Sequence, residues 1–362
     1  MIPKQTLSTV QLTVLTAITL LGVQFLILPR VLTVTANSTD GWLTIVAGAL
    51  YTFILTCLAL YFIGRHHAND LYTYGYMTFG KIGGTLLLFL INVYFWVASS
   101  YQIAAMAEMV RFYLLPSTPT SLIKVLTFLL IAYLLSGNLQ TILRVSSIIF
   151  PLTLLVAGTI LVFSFKEMDI GHMNPPFTNG VANVIFNPNG VFFPFEGIEV
   201  IYFLLPFVNK KAKPKLAVFS TLVLISIVYI ITYLIVVLNL GEREVKTLVW
   251  PTISFIQSFE TEGIFIERME GFLLSTWIMQ FFSTSVIYSF LSGYSLRKYT
   301  KLKKSFPGMA VAVAISMIIS LCFQHTLDTR ILRLISFYGF EVVLLLPFVY
   351  FLIYSIKRKV VR

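Results

Sequence analysis

Two carboxylates, Glu196 and Glu199, stand three residues apart inside an otherwise apolar run, Phe192-Phe193-Pro194-Phe195-Glu196-Gly197-Ile198-Glu199-Val200. An ionisable side chain near the centre of a bilayer costs about 2.5–3.5 kcal/mol on insertion scales, so each must be paired, protonated or liganded. The same run carries its own means of breaking a helix. Pro194 removes a backbone donor and clashes with the preceding turn, and Gly197 lets the chain leave helical geometry without steric cost. Backbone groups freed in this way are tolerated in a membrane only where protein or a water-filled cavity meets them. The run from about 184 to 208 therefore reads as a broken membrane helix wrapped around a small polar site. At such a break the outgoing half-helix offers unpaired N–H groups to an anion. The last carbonyls of the incoming half suit an ammonium or a metal cation. Glu196, at the break itself, reads as a site residue; Glu199 reads as a cap for the second half-helix or a bond to a neighbouring helix.

A matching interruption is expected in the other half of a chain built this way, and Leu20-Leu21-Gly22-Val23-Gln24-Phe25-Leu26-Ile27-Leu28-Pro29 supplies it. Gly22-Val23 running to Leu28-Pro29 parallels Gly197-Ile198 running to Leu205-Pro206. Two breaks facing each other match the two charges of a zwitterionic amino acid. Two further apolar runs carry a polar or aromatic stripe at helical spacing. One holds Val97, Ser100, Tyr101, Ala104, Glu108 and Arg111; the other holds Trp277, Gln280, Thr284 and Tyr288. Each stripe alone reads as an interhelical packing seam, and two stripes together with two breaks favour a lined cavity. Glu108 and Arg111 are spaced to permit an ion pair, while Glu341 receives no assignment. His66-His67 reads as a solvated loop pair. Cys57 and Cys322 lie in apolar runs and read as buried thiols, neither a disulfide framework nor a metal site. The sequence contains no P-loop, H-E-x-x-H or nucleophile elbow, so neither catalysis nor a cofactor is expected.

The elements that must hold these residues are set by composition. Of 362 residues, 57% are hydrophobic and only 11% charged, with a mean hydropathy of +0.88. Those values belong to a polytopic membrane protein. Ten stretches of spanning length, at about 20 residues each, can be marked: roughly 9–32, 41–64, 83–114, 120–136, 143–165, 184–208, 216–239, 268–294, 307–324 and 332–356. The net charge of +11 does not call for nucleic acid, because 17 of the 26 basic residues fall in alternate short loops and at the two ends. By the positive-inside rule both termini are cytoplasmic. The whole chain, 1–362, reads as one transmembrane domain of two repeats, about 9–165 and about 184–356. Gly22 and Gly197 are 175 residues apart, Pro29 and Pro206 177. Five spans per repeat, an odd number, make the second repeat inverted in the membrane relative to the first, the plan of many secondary transporters. Trp250-Pro251-Thr252-Ile253-Ser254-Phe255-Ile256-Gln257-Ser258-Phe259 suggests a short helix at the outer surface, capping the mouth of any pathway.

Several blocks together resemble a known family. Gly22 to Arg30 (Gly-x-x-x-Leu-x-Leu-Pro-Arg), Asn37…Asp40-Gly41-Trp42 and Ala105-Met106-Ala107-Glu108-Met109-Val110 are similar to the B subunit of bacterial spore germinant receptors. So are Glu244-Val245-Lys246-Thr247-Leu248-Val249-Trp250-Pro251-Thr252-Ile253, Gly263 to Glu270, and Trp277 followed by Gln280-Phe281-Phe282. That family resembles the amino acid-polyamine-organocation transporters, which implies a leucine-transporter-like fold of ten helices in a five-plus-five inverted repeat with helices 1 and 6 broken. It also implies a nutrient receptor in the inner membrane of a dormant endospore, partnered by a membrane-anchored A subunit and a lipoprotein C subunit. Carried over, the ligand-facing positions are Gly22, Val23 and Gln24, Val97 and Tyr101, Phe195, Glu196 and Gly197, and Thr284. The pattern departs at Glu196, where alanine-sensing members look apolar, and at Gly22-Val23-Gln24, where they look like Gly-Ala-Gly. The germinant is therefore left open, as is a rival reading of the same fold as a proton- or sodium-coupled amino acid transporter.

Overall fold

A computed structural model describes residues 7–65, 68, 70–163, 168–173, 177, 180–258, 269–300, 306–323 and 326–360. His66-His67, most of the Gly263–Glu270 block and Lys301, Lys303 and Lys304 lie outside the described residues. The helices are α1 (Thr9–Leu20), α2 (Gln24–Ala36), α3 (Gly41–Arg65), α4 (Leu71–Tyr113), α5 (Thr120–Ser136), α6 (Leu139–Phe163), α7 (Val181–Ile185), α8 (Pro188–Val191), α9 (Val200–Leu204), α10 (Pro214–Thr247), α11 (Pro251–Gln257), α12 (Met269–Thr300), α13 (Phe306–Cys322) and α14 (Thr326–Val360). Among the described residues, six segments are long and apolar enough to cross a membrane: α3, α4, α6, the interrupted stretch Pro188–Phe207, α10 and the Arg333–Ile356 part of α14. α1 and α2 make a seventh, bent by 58°. The apolar helices α5 and α13, 17 residues each, and α12, with 32, occupy the remaining expected places.

Both expected breaks are present. α1 starts on a capping box, in which Ser8 and Gln11 satisfy each other's backbone N–H, and ends at Leu20; α2 then begins at Gln24. The second break is longer than two half-helices with one gap. After α8 the chain makes a single 3-10 turn at Phe193–Phe195, an unwound Glu196–Glu199, the five-residue α9 and a second 3-10 turn at Leu205–Phe207. The two prolines set these turns, since neither Pro194 nor Pro206 can donate to the ladder. The stretch is 83% buried, against 33–56% for the other five long segments, which is where backbone without helical partners must lie in a bilayer. A parallel bridge joins the two broken segments at one end. Leu7 N–H donates to the Phe207 carbonyl at 3.0 Å, and Asn209 N–H donates to the Leu7 carbonyl at 2.9 Å.

Helices α4 and α12 run side by side through the core. Ser99 meets Ser285 at 2.6 Å and Ser289 at 3.1 Å, and Asn92 and Ser295 bond in both directions at 2.6 and 2.9 Å. Small hydroxyl residues let the backbones approach and hold them together. Ser100 donates at 2.7 Å to the Ser316 carbonyl of α13, so that member of the first stripe belongs to a packing seam. Lys124 of α5, though 2% exposed, donates from Nζ to the Ser320 and Phe323 carbonyls at 2.9 and 2.7 Å. A cation at unpaired helix-end carbonyls is the favourable match to the helix dipole.

Four expectations need correction. α4 begins at Leu71, well before position 83, and Gly80 (φ +73°) divides a short arm from the spanning part. α11 is the expected short helix, but Pro251, Thr252, Ile253, Phe255 and Ile256 are buried, and Thr252 Oγ1 donates at 3.1 Å to the Phe25 carbonyl. It is folded onto α2 rather than lying on a surface, because most of its side chains are apolar and need cover. The spacing of Glu108 and Arg111 does not produce an ion pair: among the described residues the pairs are Lys246–Glu242 at 2.5 Å and Lys298–Asp70 at 2.8 Å. Glu108 is half-buried while Arg111 points out of the protein. Cys322, the last residue of α13, is exposed and Cys57 only half-buried, since an apolar run in a membrane can turn its side chains outwards as well as into the protein.

Candidate functional site at the two helix breaks

Glu196 joins the two breaks. Its Oε2 accepts from Gln24 Nε2 at 3.1 Å, across from the first residue of α2, and its Oε1 accepts from the Ser336 hydroxyl of α14. Glu196 is 2% exposed and Gln24 fully buried. The Oε1 of Gln24 has no hydrogen-bond partner among the described residues. A buried acceptor left unmet costs about 1–3 kcal/mol, and here it sits beside a carboxylate with acceptor capacity to spare.

Glu199 is tied down differently. Its Oε1 accepts from the Tyr94 hydroxyl at 2.7 Å and its Oε2 from the Gly197 N–H at 2.8 Å. Of the two roles read from the sequence, the bond to a neighbouring helix is met through Tyr94; the cap of the second half-helix is not, because the side chain turns back to the Gly197 N–H of the unwound stretch instead of to α9. Gly197 itself has φ +115°, a region that L side chains rarely adopt. A buried acceptor left without its donor costs about 1–3 kcal/mol. Tyr94→Phe removes one of Glu199's two donors and is expected to lower stability by about that amount. Thermal unfolding of the detergent-extracted protein measures it, and an unchanged midpoint would show that the Tyr94 bond contributes nothing.

The polar groups of the first break are met by side chains. Val23 N–H donates to Gln102 Oε1 at 3.1 Å, and the Gln102 amide fills the space over Gly22, where a Cβ would lie 2.7 Å from both its terminal atoms. The Ile18 carbonyl accepts from Gln280 Nε2 at 2.7 Å and Thr284 Oγ1 at 3.0 Å. Tyr229 donates to the Leu20 carbonyl, and Thr19 Oγ1 donates at 3.0 Å to the Gly197 carbonyl, linking the breaks directly. Two grooves of about 420 and 340 Å³ lie elsewhere, between α4 and α14 and among α5, α6 and α12. Their walls are almost wholly apolar side chains, so they offer a polar ligand few partners.

The structure thus brings together Gly22, Val23, Gln24, Glu196, Gly197 and Thr284, through contacts of the backbone or side chain. Val97 and Tyr101 are buried on α4, and no hydrogen bond joins Tyr101 to the breaks among the described residues. Phe195 turns towards α3, its Cε2 3.0 Å from where a Cβ on Gly48 would stand. Of the second stripe, Gln280 and Thr284 face the first break, Trp277 lies against Phe25 with ring centroids 4.2 Å apart, and Tyr288 packs on Phe95 and Tyr94. Tyr94, Gln102, Tyr229 and Ser336 were not singled out by sequence.

A bundle whose first span is bent at an unwound turn, whose sixth is interrupted, and whose breaks face each other defines an integral membrane protein of the leucine-transporter-like class. The crystal structure of MhsT in complex with L-phenylalanine shares this fold, with a TM-score of 0.70, 13% sequence identity, and coverage of 95% of this chain and 89% of that one. The spore germination protein family matches residues 6–329, and the chain belongs to that family, as a protein of the germinant receptor B type. Spore germination protein A2 of Bacillus subtilis (strain 168) is 37% identical over 98% of this chain and 97% of its own length. Spore germination protein B2 of the same organism is 31% identical over the same shares, and spore germination protein GerLB of Bacillus cereus is 23% identical over 94% and 92%.

Proposed function

We propose that this protein is the nutrient-sensing subunit of a spore germinant receptor and binds a small germinant, an amino acid or a similar molecule, between the two helix breaks. The observation that carries the reading is the Gln24 Oε1 atom, buried and unpartnered beside the Glu196 carboxylate. An ammonium brings donors and no acceptor, which is what the unmet Gln24 Oε1 lacks. The N–H end of α2 at Val23 receives the other end of the ligand, an acceptor group such as a carboxylate. Gly22, Val97, Tyr101, Phe195, Gly197 and Thr284 complete the ligand-facing set.

The wider reading keeps the two inverted repeats, about 9–165 and 184–356, with both termini cytoplasmic. The protein sits in the inner membrane of the endospore and acts with the A and C subunits of the receptor, passing on a change at the breaks rather than carrying out a reaction. Membrane lipid is its solvent, and nucleic acid has no part in it.

The test follows from Gln102, which stands where the acceptor group of the ligand has to go. Gln102→Ala frees the Val23 N–H. A newly available buried partner of about 1–3 kcal/mol corresponds to a 5- to 150-fold lower half-maximal concentration for a germinant bearing a carboxylate. Germination dose–response curves over a panel of amino acids, with receptor levels followed by immunoblot, measure the effect. Gly22→Leu, which forces its side chain into the space of Gln102, is expected to abolish the response at normal protein levels. An unmoved curve in Gln102→Ala together with a full response in Gly22→Leu would remove the breaks as the ligand site.

A further inference from the structure

In secondary transporters with broken helices, the carbonyls at the end of the incoming half-helix coordinate the coupling cation. The last turn of α1 presents such carbonyls, which lack intrahelical partners. Here they are already met by neutral donors from two other helices, α12 and α10. Ile18 accepts from Gln280 Nε2 at 2.7 Å and from Thr284 Oγ1 at 3.0 Å, and Leu20 accepts from Tyr229.

The Gln280 amide is held in one orientation. Ile18 offers an acceptor only, so the amide must turn its NH₂ towards it. Its Oε1 then faces Thr153 Oγ1 of α6 at 3.2 Å, whose one proton is shared between it and the Ile149 carbonyl at 2.9 Å. Gln280, Thr284 and Ile18's neighbour Thr19 are all fully buried, and Thr153 is 1% exposed, so no bulk water competes for these positions. A chain of donors thus runs from α6 through α12 to the end of α1, and every member is uncharged. A cation entering here would find the carbonyl occupied and an N–H donor pointing at it, with no carboxylate among these groups to offset the loss of its hydration.

We propose that Gln280 is a resident substitute for a coupling cation: its amide holds the end of α1 to α12 and α6, so that the breaks are assembled without bound sodium, lithium or potassium. The proposal deepens the germinant-site reading and rests on it only for the ligand; the claim about the cation concerns the unliganded protein. It also separates this chain from the cation-coupled transporter that the fold alone allows.

The decisive measurement uses the full-length protein in nanodiscs without any nutrient. Thermal unfolding is followed in sodium, lithium or potassium chloride against choline chloride at equal ionic strength. The midpoint of the unaltered protein is expected to agree within about 1 °C in all four salts, because a ligand that binds only the folded state would raise it. Gln280→Ala leaves the Ile18 carbonyl short of a donor and is expected to lose several degrees in choline. Gln280→Glu at alkaline pH sets a carboxylate against that carbonyl and makes the midpoint rise with sodium or lithium. A saturable rise of several degrees with any of the three cations in the unaltered protein overturns the proposal, as does a midpoint indifferent to both substitutions. Nutrient-triggered germination in sodium-free medium, run alongside, keeps the two readings apart. If the midpoints behave as expected while Glu196 and Gln102 variants respond to nutrients normally, the cation substitute stands and the ligand site does not.

Discussion

Gly197→Ala is expected to leave little folded protein in the membrane. Two independent effects add at this position. Its φ of +115° is one that a residue with a Cβ rarely adopts, at a cost of order 1–3 kcal/mol. The added carbon would also stand 2.8 Å from the Thr19 carbonyl oxygen and 2.9 Å from its carbon. Those are backbone atoms of the other broken helix, already fixed by the bond from Thr19 Oγ1 to the Gly197 carbonyl, and they cannot swing aside as a side chain does. Separating the breaks to make room also stretches the Thr19–Gly197 and Gln24–Glu196 bonds that cross between them. Gly64 of α3 is the control: exposed, helical and with nothing within 4 Å of an added Cβ. Gly64→Ala should gain about 0.5–1 kcal/mol from its helix. Immunoblots of spore membranes and unfolding midpoints of the extracted proteins compare the two. Equal accumulation of both variants would mean that the backbone at Gly197 relaxes and that the close approach of the breaks is not needed for folding.

The interruption at Gly197 was legible because proline, glycine and carboxylates are each costly in an apolar span, and a regular helix could not carry all of them within six residues. Gly22 was legible by its parallel with that run, and Glu199 in part: it bonds a neighbouring helix through Tyr94, but its other bond goes back to Gly197 and not to α9. The short helix Pro251–Gln257 was legible in length but not in placement, since a seven-residue helix has too few turns to show which face is covered.

Gln102 was missed for a different reason. Every residue from Tyr94 to Ala107 is buried, so this part of α4 has protein on all sides and its hydrophobic period carries no information about direction. A stripe drawn through Val97 and Tyr101 is then one choice among several, and the neighbouring Gln102 faces the break. Ser336 and Tyr229 reach the site through the tertiary packing of α14 and α10, and single hydroxyls in apolar helices are too common to stand out. In the second stripe, by contrast, Gln280 was legible as a polar member of one helical face, though not its partner, the Ile18 carbonyl at the first break.

Glu196 is where the identity of the ligand is expected to be read. Its carboxylate accepts from Gln24 and Ser336 and still has lone pairs free, and the Gln24 Oε1 beside it is unmet. A small apolar amino acid brings only its ammonium, which goes to the Gln24 Oε1, and has no second group for the Glu196 carboxylate. A germinant with a second donor, such as asparagine, a basic amino acid or a sugar, satisfies both acceptors at once. Leaving one of them unmet costs about 1–3 kcal/mol, a factor of about 5 to 150 in affinity. Glu196→Leu is therefore expected to weaken the response to the natural germinant and to improve the response to alanine or valine relative to it. The leucine also strands Gln24 Nε2 and the Ser336 hydroxyl, so Glu196→Gln is the companion variant. It keeps the shape, still accepts through one oxygen, and adds donors that compete with those of the ligand. The natural germinant should lose affinity in both variants, and Glu196→Gln should fall between Glu196→Leu and the unaltered protein in stability. Dose–response germination over amino acids and sugars gives the rank order, and unfolding midpoints give the stability. If the rank order of nutrients is the same in all three proteins, Glu196 holds the two breaks together without reading the ligand, and specificity lies with the acceptor end at Val23 and Gln102.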